Sequence, residues 1–379
     1  MVRKEFLLVN LFKQFIKESY SGKRLKKDGK KIKPQTIQNY EAVLNLITEF
    51  EKFDEQNIRI KTITGRNKRE TDSGRKYWKQ FYTRFTNFLY KQKNCYDNYV
   101  GTVIKTIRIF FNYLKTEKLI AVGEFYKQFY VFKEEIPIVT LLPEQLEFLI
   151  KDQNFEQSLT PALRKSKDIF VLGCIVALRY SDLFNIKFTD IERVNGYHYL
   201  SVKSIKMEVI TRIKLPDYAI KIIERFKEKR GKRKTVLAPI SKNQFNKNIR
   251  AITEKAGWTH IVGKTRSRRG KQISIWKPKS HNVYRFCDLV SSHTMRRTAV
   301  TTMLMLGMPE HVVKKISGHA SNSKAFYRYV NLVQSYLDTQ VDKVFEKLVN
   351  REKFSLLLTH SKASILILET CNTTIKSNF

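Results

Sequence analysis

The chain has 379 residues, 42% of them hydrophobic, which is enough for two domains with ordinary cores and excludes a disordered tail protein. Its 72 lysines and arginines outnumber 35 aspartates and glutamates, giving a formal net charge of +37. So large a positive charge, spread along the whole sequence, indicates a polyanionic partner, and nucleic acid is the first candidate. The alternative is a lysine-rich surface that adds only solubility.

Cysteine spacing and the N-terminal segment limit the cellular context. The four cysteines lie far apart and form no C-x-x-C or Cys/His cluster, so the sequence indicates neither a zinc site nor a disulfide framework. The segment MVRKEFLLVNLFKQFIKE is too short and too charged for a signal peptide or a membrane span. We therefore expect a cytoplasmic protein with no metal, no cofactor and no membrane association.

Helical periodicity dominates the first third of the chain. A basic stretch at residues 21–33, interpreted as a flexible loop or arm, precedes Pro34, where a helix can begin. Asp97 is predicted to cap a later helix. Apolar residues recur at helical spacing in three segments: Ile37, Tyr40, Val43, Leu44, Ile47 and Phe50; Tyr77, Phe81, Phe85, Phe88 and Leu89; Val103, Ile107, Phe110, Phe111 and Leu114. These stripes predict a helical domain over residues 1–135, with the aromatic side chains in its core.

A break in the helical pattern marks a domain boundary. Pro137 interrupts it and a new pattern begins at Pro143, so we predict a linker at residues 136–141 and a second domain at residues 142–350. Residues 351–379 carry few charges and many β-branched side chains. We expect them to form a poorly ordered tail or to add an element to a neighbour.

The second domain contains one conspicuous arginine and one predicted hairpin. Arg179 follows an almost uncharged helical run, where a guanidinium needs a partner. A structural explanation is that Asp182, three residues later, is the partner of Arg179. The functional explanation is that a phosphate is the partner and that Asp182 orients the guanidinium from the opposite side. Residues 197–215 alternate as a β-hairpin does, with Lys203 and Lys206 near its turn. The basic stretches 227–234 and 264–271 are predicted to be loops that can meet a DNA backbone.

The stretch SSHTMRRTAVTTMLMLGMPEHVVKKISGHASNSKAFYRYV, residues 291–330, gathers side chains suited to phosphate chemistry. His293 and Arg296 share one face of a predicted helix, His319 follows a helix that ends at Ser317-Gly318, and Tyr327 and Tyr329 come next. Each has an ordinary structural explanation when taken alone. Together they suggest nucleophilic displacement at a phosphodiester: arginines grip the non-bridging oxygens, histidines donate or move a proton, a tyrosine attacks and a lysine protonates the leaving oxygen.

The chain resembles the tyrosine recombinases of the phage-integrase type. HTMRR resembles the family's H-x-x-R box, ALRYSDL its first-arginine box, KISGH its G-H box and KAFYRYV its nucleophile segment. The resemblance implies a mainly α-helical fold with a small antiparallel β-sheet, in which a helical core-site-binding domain and a catalytic domain clamp DNA. The chain departs from the pattern at Ala177, where many relatives have glycine, and in the hairpin turn.

Carried onto this sequence, the resemblance implies catalytic roles for six residues. Arg179 and Arg296 would clamp the phosphate, His293 would orient groups or transfer a proton, and His319 would donate a hydrogen bond to the scissile phosphate. Tyr329 would be the nucleophile, with Tyr327 as the alternative because the loop after His319 is one residue longer than is common. Lys206 would be the catalytic lysine, with Lys203 as the alternative.

The resemblance further implies a site-specific recombinase or integrase of a mobile element that works through a 3′-phosphotyrosyl intermediate without metal or ATP. Its partners would be double-stranded DNA, a homo-tetramer on two DNA sites and accessory DNA-bending proteins, in a nucleoid-associated location. The apolar segment Leu337, Val341, Val344, Phe345 and Leu348 would dock on a partner or pack within its own domain. Alternatives are a type IB topoisomerase-like or hairpin-resolving enzyme and a non-catalytic helix-turn-helix protein.

Overall fold

The computed structural model describes residues 4–62, 68–203, 210–228, 231–278 and 280–349. Lys206 and the tail at residues 351–379 lie outside these described residues. The chain divides into two compact units: unit 1 is Met1–Pro137 with Gly263–Val283, and unit 2 is Ile138–Val262 with Tyr284–Phe379. Each unit has its own apolar core.

Helices account for most of the described chain. They are α1 Leu8–Ser21, α2 Pro34–Phe53, α3 Lys68–Lys91, α4 Asp97–Thr116, α5 Pro143–Lys151, α6 Gln153–Ser158, α7 Pro161–Val176, α8 Tyr180–Phe184, α9 Asp217–Glu228, α10 Lys242–Lys255, α11 Phe286–Leu289, α12 Ser292–Met305, α13 Glu310–Ser317 and α14 Lys324–Val349, with 3-10 turns at Phe125–Gln128 and Phe188–Asp190. None of the helices within the described ranges is both long and apolar enough to cross a membrane.

The strands form small antiparallel sheets. They are β1 Glu5–Leu7, β2 Arg59–Lys61, β3 Ile191–Val194, β4 Tyr197–Lys203, β5 Ile210–Leu215, β6 Thr265–Arg268 and β7 Lys271–Ser274. They pair as β1-β2, β3-β4-β5 and β6-β7. The predicted fold class, mainly helical with a small antiparallel sheet, is confirmed, and the predicted hairpin at residues 197–215 is β4-β5 with β3 added at its edge.

Aromatic side chains fill the core of unit 1, as the helical stripes predict. Trp78 stacks on Phe125 with ring centroids 4.7 Å apart, and Phe111 contacts both rings. Phe12, Phe15 and Phe110 form a second group, and all but Phe125 are almost completely buried. Burial of so many large rings makes packing the main stabilising force of this unit.

The basic stretch at residues 21–33 is more ordered than the predicted arm. Arg24 is buried, lies over the ring of Phe15 at 4.2 Å and donates to Ser19 Oγ and Glu117 Oε1. A short β-bridge between Leu25 and Lys31 closes the loop. At least one cation of this stretch is therefore used in folding and is not available to a phosphate.

The prediction of a loop at residues 264–271 is wrong, because the structure has the hairpin β6-β7 there. Its two-residue turn, Arg269-Gly270, has positive φ angles of 53° and 75°. The Asp97 carboxylate accepts the backbone N–H of Arg269 at 2.8 Å and of Gly270 at 2.9 Å, across 172 and 173 residues of sequence. Asp97 is also not a helix cap, since Tyr96 occupies that position.

These contacts group the hairpin with the helices of unit 1. Glu134 Oε1 accepts the N–H of Ser267, and the Asp97 carboxylate also accepts the hydroxyl of Tyr90. The sequence-based division kept residues 142–350 together, whereas the chain leaves unit 2 after Val262 and returns at Tyr284. Periodicity reports only local structure, so it carries no signal for such distant contacts.

Unit 2 is built on helix α7, which is buried along most of its C-terminal half. Helix α12 packs against it closely: a Cβ atom added to Gly173 would stand 2.5 Å from Met295 Sδ and 3.0 Å from Met295 Cβ. Glycine on one helix and a fully buried methionine on the other set the separation of the two helices. The same packing fixes the position of the side chains at the start of α12.

Candidate active site

The first turn of α12 presents His293 and Arg296. Thr294 Oγ1 accepts the N–H of Ser291 at 3.0 Å, and Asn246 Oδ1 of α10 accepts the N–H of Ser292 at 2.8 Å. These bonds satisfy backbone N–H groups that have no partner within the helix, and the second one connects the start of α12 to α10. The two residues, three apart, project from one face, as the sequence predicts.

Arg296 is more deeply buried than Arg179 or His293, with 7% of its surface exposed. Its Nη1 donates to the backbone oxygen of Ala177 at 2.8 Å. Burial, followed by the positive charge of Arg179, lowers its pKa to about 10, against the opposite influence of Tyr329 and Asp182. The guanidinium therefore stays charged at neutral pH, in surroundings where an anion would be bound strongly.

The carbonyl of Ala177 is available because α7 ends there in a left-handed conformation. Ala177 has φ 53° and ψ 18°, which a residue with a Cβ atom adopts at some cost and glycine adopts freely. This is the position where the sequence departs from the glycine of many relatives. Ala177 thus holds a left-handed conformation in spite of its Cβ atom, and its carbonyl oxygen accepts from Arg296.

Arg179 and Asp182 form the predicted pair. Arg179 precedes α8, and its Nη1 lies 4.0 Å from Oδ2 of Asp182, which is 1% exposed. Arg179 itself is partly exposed and its charge acts on Arg296, His293 and His319. The pair therefore sets a second guanidinium beside the first, with a buried carboxylate behind it.

His319 comes directly after α13, where Gly318 adopts a left-handed conformation with φ 61°. This turn brings the His319 N–H to Lys314 O at 2.9 Å and the ring back over the helix end. Its Nδ1 lies 2.7 Å from Ser317 Oγ and its Nε2 lies 3.4 Å from Arg296 Nη2. Burial, followed by the charges of Arg296 and Arg179, lowers the pKa of His319 to about 4.

The two candidate tyrosines lie on different sides of α14. Tyr329 is half-buried, with its ring centroid 6.0 Å from that of His319 and 6.2 Å from that of Phe326. Tyr327 is 49% exposed and lies beneath the ammonium of Lys314 at 4.8 Å. Two residues along a helix correspond to a rotation of about 200°, so only one of them can face the arginines.

Two predicted site residues fall at the edge of this group or outside the described chain. His293 is exposed, and partial desolvation, followed by the charges of Lys242, Arg297, Arg296 and Arg179, lowers its pKa. Lys203 is exposed at the end of β4, and the choice between it and Lys206 remains a prediction because Lys206 is not described. The start of β5 does reach the site, since Thr211 Oγ1 is 3.9 Å from a Cβ atom built on Gly318.

Sequence reasoning missed three contributors: the Ala177 carbonyl, the Ser317 hydroxyl and the Asn246 amide. The i, i+2 spacing of Ser317 and His319 around Gly318 is the one sequence signal that pointed to such a contact. Within the described ranges, no group of three His, Cys, Asp or Glu residues is close enough to hold a metal ion.

Arg296 of α12, His319 just after α13 and Tyr329 of α14 all lie within a region that matches known proteins. The model of the phage integrase family matches residues 141–335, just over half of the chain. The chain belongs to the phage integrase family. The matched range contains the described parts of the first-arginine box, the H-x-x-R box, the G-H box and the nucleophile segment.

Solved structures share the fold of this family member. The DNA-bound Tn1549 transposon integrase is 13% identical, with a TM-score of 0.55 over 86% of this chain and 94% of that one. A lambda integrase dimer bound to a core site is 15% identical, with a TM-score of 0.54 over 86% and 77% of the two chains. Such low identity establishes a common fold and no more.

A closer but shorter match exists among characterised proteins. Transposase B of transposon Tn554 from Staphylococcus aureus, in strains Mu50 and N315, is 38% identical over 71 residues. The aligned part is 19% of this chain and spans only 10% of that transposase.

Proposed function

We propose that the chain is a site-specific DNA recombinase, an integrase of a mobile element, that cuts and rejoins strands through a 3′-phosphotyrosyl intermediate. The observation that carries the proposal is that His319 lies beside the buried guanidinium of Arg296 and that Tyr329 lies beside His319. Family membership and the DNA-bound integrases of the same fold support DNA as the substrate.

The guanidinium groups act first, by binding the scissile phosphate. Arg296, fixed by Ala177 O, and Arg179, backed by Asp182, offer N–H donors to two non-bridging oxygens. The stabilisation by these two positive charges increases as the phosphorus becomes pentacoordinate, because negative charge builds up on those oxygens. His293, exposed and beside them, orients the phosphate or transfers a proton.

Tyr329 is the better nucleophile on the described geometry. It lies next to His319 and interacts electrostatically with Arg296, whereas Tyr327 is half-exposed and contacts the ammonium group of Lys314. A tyrosine hydroxyl has a reference pKa near 10, so attack at neutral pH requires nearby cations or a base. Tyr329 would lose its hydroxyl proton to His293 or to solvent as Oη bonds to phosphorus, while the bond from phosphorus to the 5′ oxygen breaks. That oxygen would take a proton from the hairpin lysine, Lys206 or Lys203.

Assembly on DNA is part of the proposal. Strand exchange needs a second duplex, and a homo-tetramer on two DNA sites would supply four copies of Tyr329, with DNA-bending proteins as accessory factors. Lambda integrase has been solved as a tetramer on a Holliday junction. In this chain Leu337, Val341 and Phe345 expose an apolar stripe on α14, while the side chains of Val344 and Leu348 lie outside the description. The exposed stripe favours docking on a partner over packing within unit 2.

The test is covalent trapping on a duplex that carries the recombination site and a nick, so that the cut end diffuses away. In EDTA, the wild-type chain and Tyr327→Phe should both form a protein–DNA adduct, and Tyr329→Phe should form none. The metal chelator is included because a phosphotyrosyl link conserves the bond energy without a metal or ATP. An adduct in Tyr329→Phe that vanishes in Tyr327→Phe would reassign the nucleophile, and no adduct with the wild-type chain would refute the proposal.

A further inference from the structure

The hydroxyl of Ser317 has one proton and lies between helix carbonyl oxygens, with Lys314 O the more distant at 3.4 Å, and the ring of His319. Ser317 Oγ lies 2.6 Å from the backbone oxygen of Val313 and 2.7 Å from Nδ1 of His319, and the residue is 2% exposed. The carbonyl oxygen can only accept, and two oxygens at 2.6 Å without a proton between them would repel. The Ser317 proton therefore belongs to Val313 O, which leaves Oγ as the acceptor toward Nδ1.

The contact at Nε2, on the other side of the His319 ring, indicates the same tautomer. Arg296 Nη2 lies 3.4 Å from His319 Nε2, and a guanidinium can donate but never accept. Nε2 must then carry a lone pair and no proton. Two contacts from different helices thus agree on one neutral form of His319, with its proton on Nδ1.

We propose that Ser317 is a positioning residue that holds His319 as the Nδ1–H form and turns the Nε2 lone pair toward Arg296. The inference deepens the proposed function and rests on it for its catalytic meaning. Ser317 acts through His319, as the orienting group of a catalytic histidine does, by accepting the proton on the far nitrogen. The left-handed turn at Gly318 makes the contact sterically accessible.

This arrangement changes how His319 would serve the reaction. A phosphate that binds Arg296 brings an anionic oxygen next to the Nε2 lone pair, and the two repel. A hydrogen bond from His319 to that oxygen requires a second proton, which forms an N–H bond at Nε2 while Nδ1 keeps its own. The ring becomes an imidazolium, still donating from Nδ1 to Ser317 Oγ, and the proton comes from solvent.

The charged groups around the ring decide when that proton is taken up. Arg296 and Arg179 oppose it and Asp182 lies behind Arg179, while α13 contributes Lys314 and α14 contributes Tyr329. In the DNA-free chain, burial of the ring, followed by the two guanidinium groups, lowers the pKa of His319 and keeps the ring neutral at pH 7. A bound phosphodiester supplies a negative charge that reverses the balance, so binding at this site should be coupled to uptake of one proton.

The tautomer can be read in the DNA-free full-length chain by ¹⁵N nuclear magnetic resonance after labelling histidine, with the His319 signals assigned by their loss in His319→Gln. We expect a protonated-type shift at Nδ1 and a bare-nitrogen shift at Nε2. Ser317→Ala should shift part of the population to the Nε2–H form, because Nδ1 loses its acceptor while Arg296 still favours a bare Nε2. Ser317→Thr, which keeps the hydroxyl, should retain the wild-type form. Ser158→Ala is the control, because Ser158 Oγ also donates to a helix carbonyl, that of Phe155, and has no histidine partner among the described residues.

Adduct formation on the nicked duplex provides the functional readout. Ser317→Ala should slow it about 10- to 100-fold and change its pH profile, while Ser317→Thr restores both. A proton on Nε2 in the wild-type chain would overturn the inference, as would a Ser317→Ala rate and pH profile equal to those of Ser158→Ala. If the wild-type chain forms no adduct, the proposed function fails, whereas the resonance measurement still decides the tautomer.

Discussion

Aromatic side chains are held very differently in the core of unit 1 and beneath the candidate nucleophile. In unit 1, Phe111 is completely buried and contacts rings on every side, including Trp78 and Phe125. Tyr329 instead rests on a small cluster whose fully buried members are Val300, Val313 and Phe326. The first region is a deep core, and the second is a thin layer under a partly exposed ring.

The difference shows what each region relies on. A dense core fixes positions by packing, so local opening there costs nearly as much as global unfolding. Around Tyr329, position depends on a few apolar contacts together with polar ones, namely Ala177 O to Arg296 and Ser317 to His319. The proposed nucleophile therefore lies where small shifts cost little free energy, whereas the core of unit 1 is held rigidly.

The largest expected effect compares two phenylalanines that are both completely buried. Phe111→Ala should lower the free energy of unfolding by about 3–5 kcal/mol, because the ring leaves a cavity that its neighbours cannot fill. Phe326→Ala should cost about half as much, since a thin layer collapses more easily, and should speed hydrogen exchange at the start of α14. Urea titrations of both variants measure this. Equal losses would show that the two cores do not differ.

Asp97→Asn tests whether a polar contact can be as important as packing in unit 1. The two carboxylate oxygens each accept one backbone N–H of the hairpin turn, whereas asparagine has one amide oxygen and an NH2 group that cannot accept, so one N–H would lose its acceptor. The hairpin should then open more often by about 2 kcal/mol, roughly 30-fold. Trypsin cleavage after Arg268, Arg269 or Lys271 reports the opening. Asp28→Asn, at an exposed loop, is the control, and equal cleavage of both variants would contradict the role of Asp97.

The pH dependence of stability tests the charged surroundings of His319. Its pKa is about 4 in the folded chain and near 6.5 when unfolded, so the unfolded chain binds more protons between these values. Stability should therefore fall as the pH drops, by about 2 kcal/mol between pH 7 and pH 5 from this residue. His319→Gln should remove that part of the slope. Parallel slopes in wild type and variant would mean that the ring is not held neutral.

The smallest expected effect concerns Ala177, where the site accepts backbone strain. Ala177→Gly should raise the free energy of unfolding by about 1 kcal/mol at most, because glycine adopts a positive φ without a Cβ clash and this gain exceeds its extra unfolded-state entropy. Urea titration measures the change, with Gly307→Ala at another positive φ as the opposite case. Destabilisation by Ala177→Gly would mean that the methyl group contributes packing that the strain argument ignores.

Local patterns foretold the helices, the β4-β5 hairpin and the pair Arg179–Asp182, because periodicity and short spacings encode neighbouring contacts. They failed for the hairpin β6-β7, whose turn is fixed by Asp97 from far away in the sequence. They also missed the Ala177 carbonyl, since any residue carries a backbone oxygen and only the fold decides which one is presented. The resemblance grouped the catalytic candidates, and the structure adds that Tyr329 lies next to His319 whereas Tyr327 lies next to Lys314.

The central claim, that Tyr329 attacks the phosphate beside Arg296 and His319, can be tested by locating the covalent link. Trypsin cuts after Lys324, Arg328 and Lys343, so Tyr327 falls in the peptide 325–328 and Tyr329 in the peptide 329–343. After nuclease treatment of the trapped adduct, mass spectrometry should find a nucleotide on the second peptide, with fragmentation assigning it to Tyr329 and not Tyr336. A nucleotide on the peptide 325–328, or on Tyr336, would contradict the account.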